Sequence, residues 1–310
     1  SAFTLLQHTF FRKLKLQACL RYVIKSIVSE EVGSPASADY RRPLDKNYSS
    51  VSGSIGATYN ITEKLLLRAN IASAFRTPNL AELTSNGQHE TRYEVGDDAL
   101  IPEKSYESDL SVHYHENNYT LDFAGFINNI DNYIYISPTG DTTTSGLSIY
   151  KYLQSNSKLF GFEAGIHFHP ASISWLHTET TFSSVTGKQN NGDFLPFVPA
   201  NKLNIEIRVV KENLSIFHDS FIALNFNSAF KQDNPAPDET STDGYALVDL
   251  SAGANIRLKN QALFLGISAN NIFDKKYVDH LSTLKEVNFY NPGRNITLTL
   301  KVPFALKFSL

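Results

Sequence analysis

At 310 residues with a formal net charge of −3, the chain is long enough for one large sheet, and its scattered lysines and arginines offer no basic face for nucleic acid. A lone cysteine, Cys19, excludes an internal disulfide scaffold. No apolar run nears the roughly 18 residues of a membrane helix, so any bilayer crossing is made by the strands of a closed barrel. The 21 Phe and 15 Tyr, against one Trp, favour strands and membrane interfaces.

The opening stretch SAFTLLQHTFFRK has no basic segment followed by an apolar core and a small-residue cleavage site, so it does not read as a signal peptide. With Ser1 in first place, the chain is expected to be processed or cut from something larger. Further along, KLLLRANIASAF sets Leu65, Leu67, Ala69 and Ile71 against Arg68 and Asn70, the period-two alternation of a strand. In YESDLSVHY, Tyr106, Leu110, Val112 and Tyr114 oppose Glu107, Asp109, Ser111 and His113; in FGFEAGIHF, Phe160, Phe162, Ala164, Ile166 and Phe168 oppose Glu163 and His167. KLNIEIRV sets Leu203, Ile205 and Ile207 against Lys202, Asn204, Glu206 and Arg208, and RNITLTLKVPF sets Ile296, Leu298, Leu300, Val302 and Phe304 against Thr297, Thr299 and Lys301. About thirteen such strands are expected, several near the ten residues that cross a bilayer at a tilt.

Connection lengths alternate. Brief turns at NITEK, ENN, HPA, KEN and KNQ interleave with long polar stretches near residues 29–47, 76–103, 137–149, 187–200, 231–243 and 278–291. In an up-and-down sheet this places every short turn at one rim and every long loop at the other, the layout of an outer-membrane barrel and not of a soluble sandwich. Tyr133, Tyr135, Tyr150, Tyr152, Phe194 and Phe197 are candidates for an aromatic girdle. The Thr142 to Thr144 run and DNPAPDETSTDG read as solvated loop without chemistry. Arg68, Glu107, Asp109, Asp122, Glu163, Glu206, Arg208 and Arg257 are expected to form charge ladders on the lumen side.

Three stretches carry a family resemblance. Asn271, Ile272, Phe273, Asp274, Lys275, Lys276 and Tyr277, followed by Gly293 and Arg294, resemble the closing hairpin of TonB-dependent outer-membrane receptors. Phe75, Arg76, Thr77, Pro78, Asn79, Leu80, Glu82 and Leu83 are similar to a second segment of that family, and Glu94, Gly96, Leu100, Pro102, Glu103 and Ser105 to a third. The resemblance implies an all-β, antiparallel up-and-down transmembrane barrel, of which residues 1–310 form the C-terminal portion of a roughly 22-stranded whole. It implies a protein of the Gram-negative outer membrane, in contact with lipid, that imports a scarce nutrient such as a siderophore, haem or zinc with energy delivered through the TonB complex. The family's plug domain and TonB-engaging motif have no counterpart in these residues. The family's terminal aromatic, read by the assembly machinery, corresponds to Phe304 or Phe308. A passive porin or adhesin barrel is the alternative.

Within the polar stretch NGQHETRYEVGDDALIPEKS, NGQHETRYEVG resembles a segment of the family's zinc-uptake receptors and of many related receptors of unassigned substrate. There, His89 and Glu90 are candidate metal ligands, with nitrogen and oxygen donors that suit Zn²⁺ as a transported ion; Arg92, Tyr93, Asp97 and Asp98 join them as candidate ligand contacts. His113 with His115, and His167 with His169, sit two apart on single strands, a spacing that can chelate a metal but that also suits polar residues of a lumen. No Gly-x-Ser-x-Gly, His-Glu-x-x-His or phosphate loop occurs, and no enzyme is expected.

Overall fold

The computed structural model describes residues 1–37, 40–237, 239–258, 261–287 and 289–304. Its strands are β1 (Ala2–Phe10), β2 (Leu14–Ser29), β3 (Leu44–Asn60), β4 (Leu65–Arg76), β5 (Asn86–His89), β6 (Arg92–Val95), β7 (Glu103–Glu116), β8 (Tyr119–Thr142), β9 (Ser148–Phe168), β10 (Leu176–Gln189), β11 (Lys202–Leu214), β12 (Phe217–Ala229), β13 (Tyr245–Leu258), β14 (Gln261–Asn270) and β15 (Asn295–Lys301). One short helix, α1 (Leu80–Thr84), interrupts them. Thirteen of the strands form one antiparallel wall in chain order, as the alternation leads one to expect, while β5 and β6 form a small hairpin joined to it through β6 and β9. Among the described residues the sheet does not close, and β1 and β15 are its edges.

The two faces of the wall follow from the period of two. Ile296, Leu298 and Leu300 are exposed by 62%, 79% and 62% on one face, which marks a surface built for an apolar solvent. The same outer face carries the ring series Phe123, Phe162 and Phe182, with centroids 6.0 and 5.6 Å apart. The inner face is polar. There Asn70 donates to Asp109 at 3.0 Å, Asn128 to Glu107 at 3.1 Å and Asn227 to Asp249 at 2.8 Å, and His113 meets Asp122 at 2.7 Å. The expected charge ladders are therefore mostly amide-to-carboxylate links. Glu206 and Arg208 do pair, at 2.8 Å, but along one strand.

Short turns lie at one rim and long connections at the other, with three local differences from expectation. KEN is strand: β11 runs through it, and the turn falls at Ser215 and Ile216 because Leu214 pairs with Phe217. The 137–149 stretch shrinks to residues 143–147, since Pro138 pairs with Tyr150 and Thr142 with Ser148. Residues 76–103 contain α1 and the β5–β6 hairpin. The KNQ turn falls largely outside the described residues, as does Phe308; Phe304 is described and 80% exposed.

A wall one layer thick has no conventional core. Its buried apolar cluster, Leu44, Leu83, Leu100 and Ile134 with Ile27 and Tyr152 against it, sits at the long-loop rim, where it pins the loops to the strands.

Within the wall, Gly161 faces Phe126 on β8 and Val185 on β10. A Cβ there would collide with the Ser184 carbonyl oxygen and lie 3.0 Å from the Phe126 ring. Backbone cannot yield as a flexible side chain can, so Gly161→Val is expected to destabilise the barrel by about 1–3 kcal/mol. A urea titration followed by the heat-dependent gel mobility of the full receptor checks this; an unchanged midpoint contradicts it.

Candidate functional site

The long-loop rim is organised around Arg76, the last residue of β4. Its guanidinium donates to both oxygens of Glu82, at 2.8 and 3.0 Å, and from Nε to Glu103 at 2.8 Å. Glu103 in turn accepts the Ile134 N–H of β8 at 2.7 Å. Between Arg76 and Glu82, Asn79 caps α1: its side chain accepts the Glu82 N–H at 2.9 Å, and the Glu82 carboxylate accepts the Asn79 N–H at 2.8 Å, the reciprocal capping box. One planar cation thus ties β4, α1 and β7 together through two largely buried carboxylates. Bidentate geometry of this kind is what arginine, and not lysine, supplies.

From this base the chain rises into the β5–β6 hairpin. Gly96 N–H donates to Ser85 at 2.7 Å and Asp97 N–H to Glu82 at 2.9 Å. At Gly96 a Cβ would lie within 2.7 to 2.9 Å of three backbone atoms of α1 and its end, so only glycine allows the hairpin to dock this closely. β6 then pairs in parallel with the upper part of β9, Arg92 opposite Ser148 and Glu94 opposite Tyr150. Glu94 is buried to 5% exposure and accepts from Arg92 at 2.8 Å and from the Tyr152 hydroxyl at 2.9 Å.

The hairpin separates the candidate contacts read from the sequence. His89 ends β5 with its side chain 66% exposed and its Nδ1 3.6 Å from Glu94. Glu90 stands at the exposed tip with φ of 51°, beside His89 in sequence, while the carboxylate near His89 is that of Glu94. Arg92 turns back onto the rings of Tyr150, at 4.9 Å, and Phe197, at 5.8 Å. Tyr93 donates its hydroxyl to Asn86 at 2.9 Å. Asp97 accepts the Ala99 N–H at 2.8 Å, and with Asp98 it lines a cleft of about 300 Å³ shared with Arg41 and Arg42.

Arg92 lines a different cleft, of about 460 Å³, between the hairpin and four other connections. Tyr150, Phe197, Glu239, His280 and Lys285 complete its functional lining. Tyr150 is 2% exposed and Tyr152 is committed to Glu94, so neither belongs to a lipid-facing girdle. Glu239, from the run read as plain solvated loop, is instead an organising residue. It accepts the Phe197 N–H at 3.2 Å and the Ala236 N–H at 3.0 Å, and lies 3.2 Å from Nε2 of His280. Thr242 holds the other ring nitrogen of that histidine at 2.8 Å. Lys285 donates to the Thr240 carbonyl at 2.6 Å, and among the described residues no carboxylate pairs with it. Burial lowers its pKa, against the opposing pull of the Glu239 carboxylate. The cleft therefore sets a partly buried ammonium, held by the Thr240 carbonyl, beside aromatic faces.

None of Tyr150, Phe197, Glu239, His280 and Lys285 stands in a local motif. They come from four connections distant in sequence, and the clue to them was the length of those connections.

A family model described as TonB dependent receptor-like, beta-barrel matches residues 1–272. Among solved structures the chain is similar to the copper transporter OprC, with TM-score 0.79 and 17% identity over 97% of this chain and 47% of that one. It is also similar to the FrpB iron transporter from Neisseria meningitidis, F3-3 variant, with TM-score 0.67 and 14% identity over 96% and 44%. A third is the ferric yersiniabactin uptake receptor FyuA from Yersinia pestis, with TM-score 0.68 and 14% identity over 98% and 45%. At these identities the likeness is one of fold, and the chain spans less than half the length of each.

Glu239 provides a pH test of the loop assembly. Burial alone would raise its pKa, but hydrogen bonds from His280, Ala236 and Phe197 outweigh it and hold the group below the ordinary 4.5. A carboxylate depressed in the folded state contributes stability that is full above its unfolded pKa and lost as pH falls through the folded value. Hydrogen exchange of residues 194–200 and 232–242 is expected to be slow at pH 7 and to accelerate below about pH 4.5. Equal protection at pH 7 and pH 3, after correction for intrinsic rates, would contradict it.

Proposed function

Because the chain belongs to the TonB-dependent receptor β-barrel family, we propose that it forms the C-terminal wall and the cargo-binding loops of an outer-membrane receptor importing a scarce nutrient as an anionic metal chelate. The family is one of transporters of the Gram-negative outer membrane, not of enzymes. In this frame the long-loop rim is extracellular and the short-turn rim periplasmic. The observation that carries the reading is the cleft among the long loops, where Lys285 stands beside Tyr150 and Phe197 with no carboxylate paired to it among the described residues. An ammonium and ring faces together suit the acidic and aromatic surface of a chelate such as a siderophore or haem.

The mechanism follows from the division of labour in the wall. Cargo docks between loops held by the Arg76 and Glu239 networks, so binding need not first order them. The polar inner face lines the route inward, and release is driven by TonB acting on parts of the receptor outside these residues. His89 and Glu90, exposed at the hairpin tip, are proposed as first contacts, with zinc as a second cargo class suggested by their donor types.

The test is uptake by cells producing the full receptor. Accumulation of a radiolabelled ferric siderophore is expected to cease when the proton gradient is collapsed by an uncoupler, and Lys285→Ala is expected to weaken binding about tenfold, the size of one charge-assisted contact. Uptake that persists without the gradient would indicate a passive porin. Binding unchanged in Lys285→Ala, with zinc binding lost in His89→Ala, would move the cargo to the hairpin tip and to the bare ion.

A further inference from the structure

Five of the chain's nine histidines fall on β7, β9, the turn after β9 and β10, at the short-turn rim and far along the strands from the loops. His115 ends the descent of β7. His167 lies near the end of β9, His169 follows in the turn, and His177 opens β10. Register brings them together: Thr120 on β8 pairs with both His115 and His167, and the pairing of Phe168 with Thr178 sets His169 against His177. Ring centroids are 6.0 Å apart for His115 and His169, 4.7 Å for His167 and His169, and 6.0 Å for His167 and His177. His113, the fifth, is already engaged by Asp122 at 2.7 Å.

We propose that His115, His167, His169 and His177 form a binding site for a divalent transition-metal ion of nitrogen preference, Cu²⁺ foremost, at the periplasmic rim of the barrel lumen. Metal–nitrogen distances of about 2.0–2.1 Å place two imidazoles on one ion with centroids roughly 5–6 Å apart, which is the spacing already present. The Nδ1 of His169 is shielded from solvent and has no hydrogen-bond partner, a costly state for a lone pair unless something accepts it. Glu179, opposite His167 on β10, adds an oxygen donor within the same wall. The nearby Arg208, opposite His177, has its charge met by Glu206.

The rings as they stand are stacked rather than aimed at a common point, and among the described residues no three His, Cys, Asp or Glu groups are arranged to hold an ion. Capture therefore needs rotation about χ1 and χ2, with His115 leaving the Thr120 hydroxyl that its Nδ1 meets at 2.9 Å. A copper ion pulls such donors into a planar or tetragonal set and heads the affinity order of divalent ions for imidazole. The site shares no residue with the long-loop cleft and stands apart from the cargo proposed for it.

The experiment uses the full-length receptor in detergent, purified without a histidine tag and stripped with EDTA. One equivalent of Cu²⁺ is expected to give an electron paramagnetic resonance spectrum with superhyperfine splitting from two or more nitrogens. The double variant His167→Gln/His169→Gln, shown to be folded by its heat-dependent gel mobility, is expected to lose that splitting and to bind Cu²⁺ at least tenfold more weakly. His8→Gln, on β1 and outside both sites, is expected to leave both unchanged. Wild-type protein without nitrogen splitting overturns the proposal, as does splitting that survives in the double variant or vanishes in His8→Gln. Should the double variant not fold, ascorbate oxidation of the copper-loaded wild type decides. Modification of the histidines in residues 113–177 supports the site, and modification confined elsewhere overturns it.

Discussion

Every backbone N–H and C=O that enters a bilayer must find its partner within the protein, because lipid offers none. Much of this molecule follows from that requirement. A chain without a long apolar helix can meet it only with paired strands, and the eleven inner strands of the wall, β2 to β4 and β7 to β14, are each paired on both sides. Sequential pairing puts alternate connections at opposite rims. The rim inside the cell envelope can then keep tight turns, while the outer one is free to extend. Among the described residues β1 and β15 are the open edges of the wall, and an open edge in lipid is untenable; in a receptor of this family further strands complete the circle.

A second constraint arises where the wall ends. Loops that leave a single-layer sheet have no core to fold against, yet the cleft among them has a defined lining. Two polar assemblies solve this. Arg76, locked between Glu82 and Glu103, fixes α1 and so the base of the hairpin. Glu239 gathers backbone donors from residues 197 and 236 and meets His280. Both are charged centres with several hydrogen bonds each, the condition under which a buried carboxylate stabilises and does not merely add desolvation cost. Removing one partner leaves the others buried and unmatched, so each assembly is cooperative.

The wall was legible in the sequence because its physics is local. Alternation in segments such as Leu65 to Ile71 or Ile296 to Leu300 states both the strand and its greasy face, and contrast in connection length states which rim is which. Turn positions were less so: KEN looks like a turn by composition, yet lies within β11 because cross-strand pairing outweighs local preference. The Arg76 and Glu82 cluster was visible as a motif, though not what its charges do. Glu239, His280 and Lys285 were hidden, since a site assembled from distant loops leaves no spacing to find. Tyr150 misled for a related reason: an aromatic near a strand end suits a membrane interface equally well as a buried pocket, and only the parallel strand β6 beside it decides.

The account rests on the wall having one face in lipid and the other lining a polar lumen. Spin labels at single cysteines along residues 296–301 of β15, in a Cys19→Ser full-length receptor reconstituted in bilayers, test this directly through collision with oxygen and with a water-soluble nickel chelate. Oxygen accessibility is predicted to peak at 296, 298 and 300 and to fall at 297, 299 and 301. Equal access of the nickel chelate to all six positions would contradict a membrane wall.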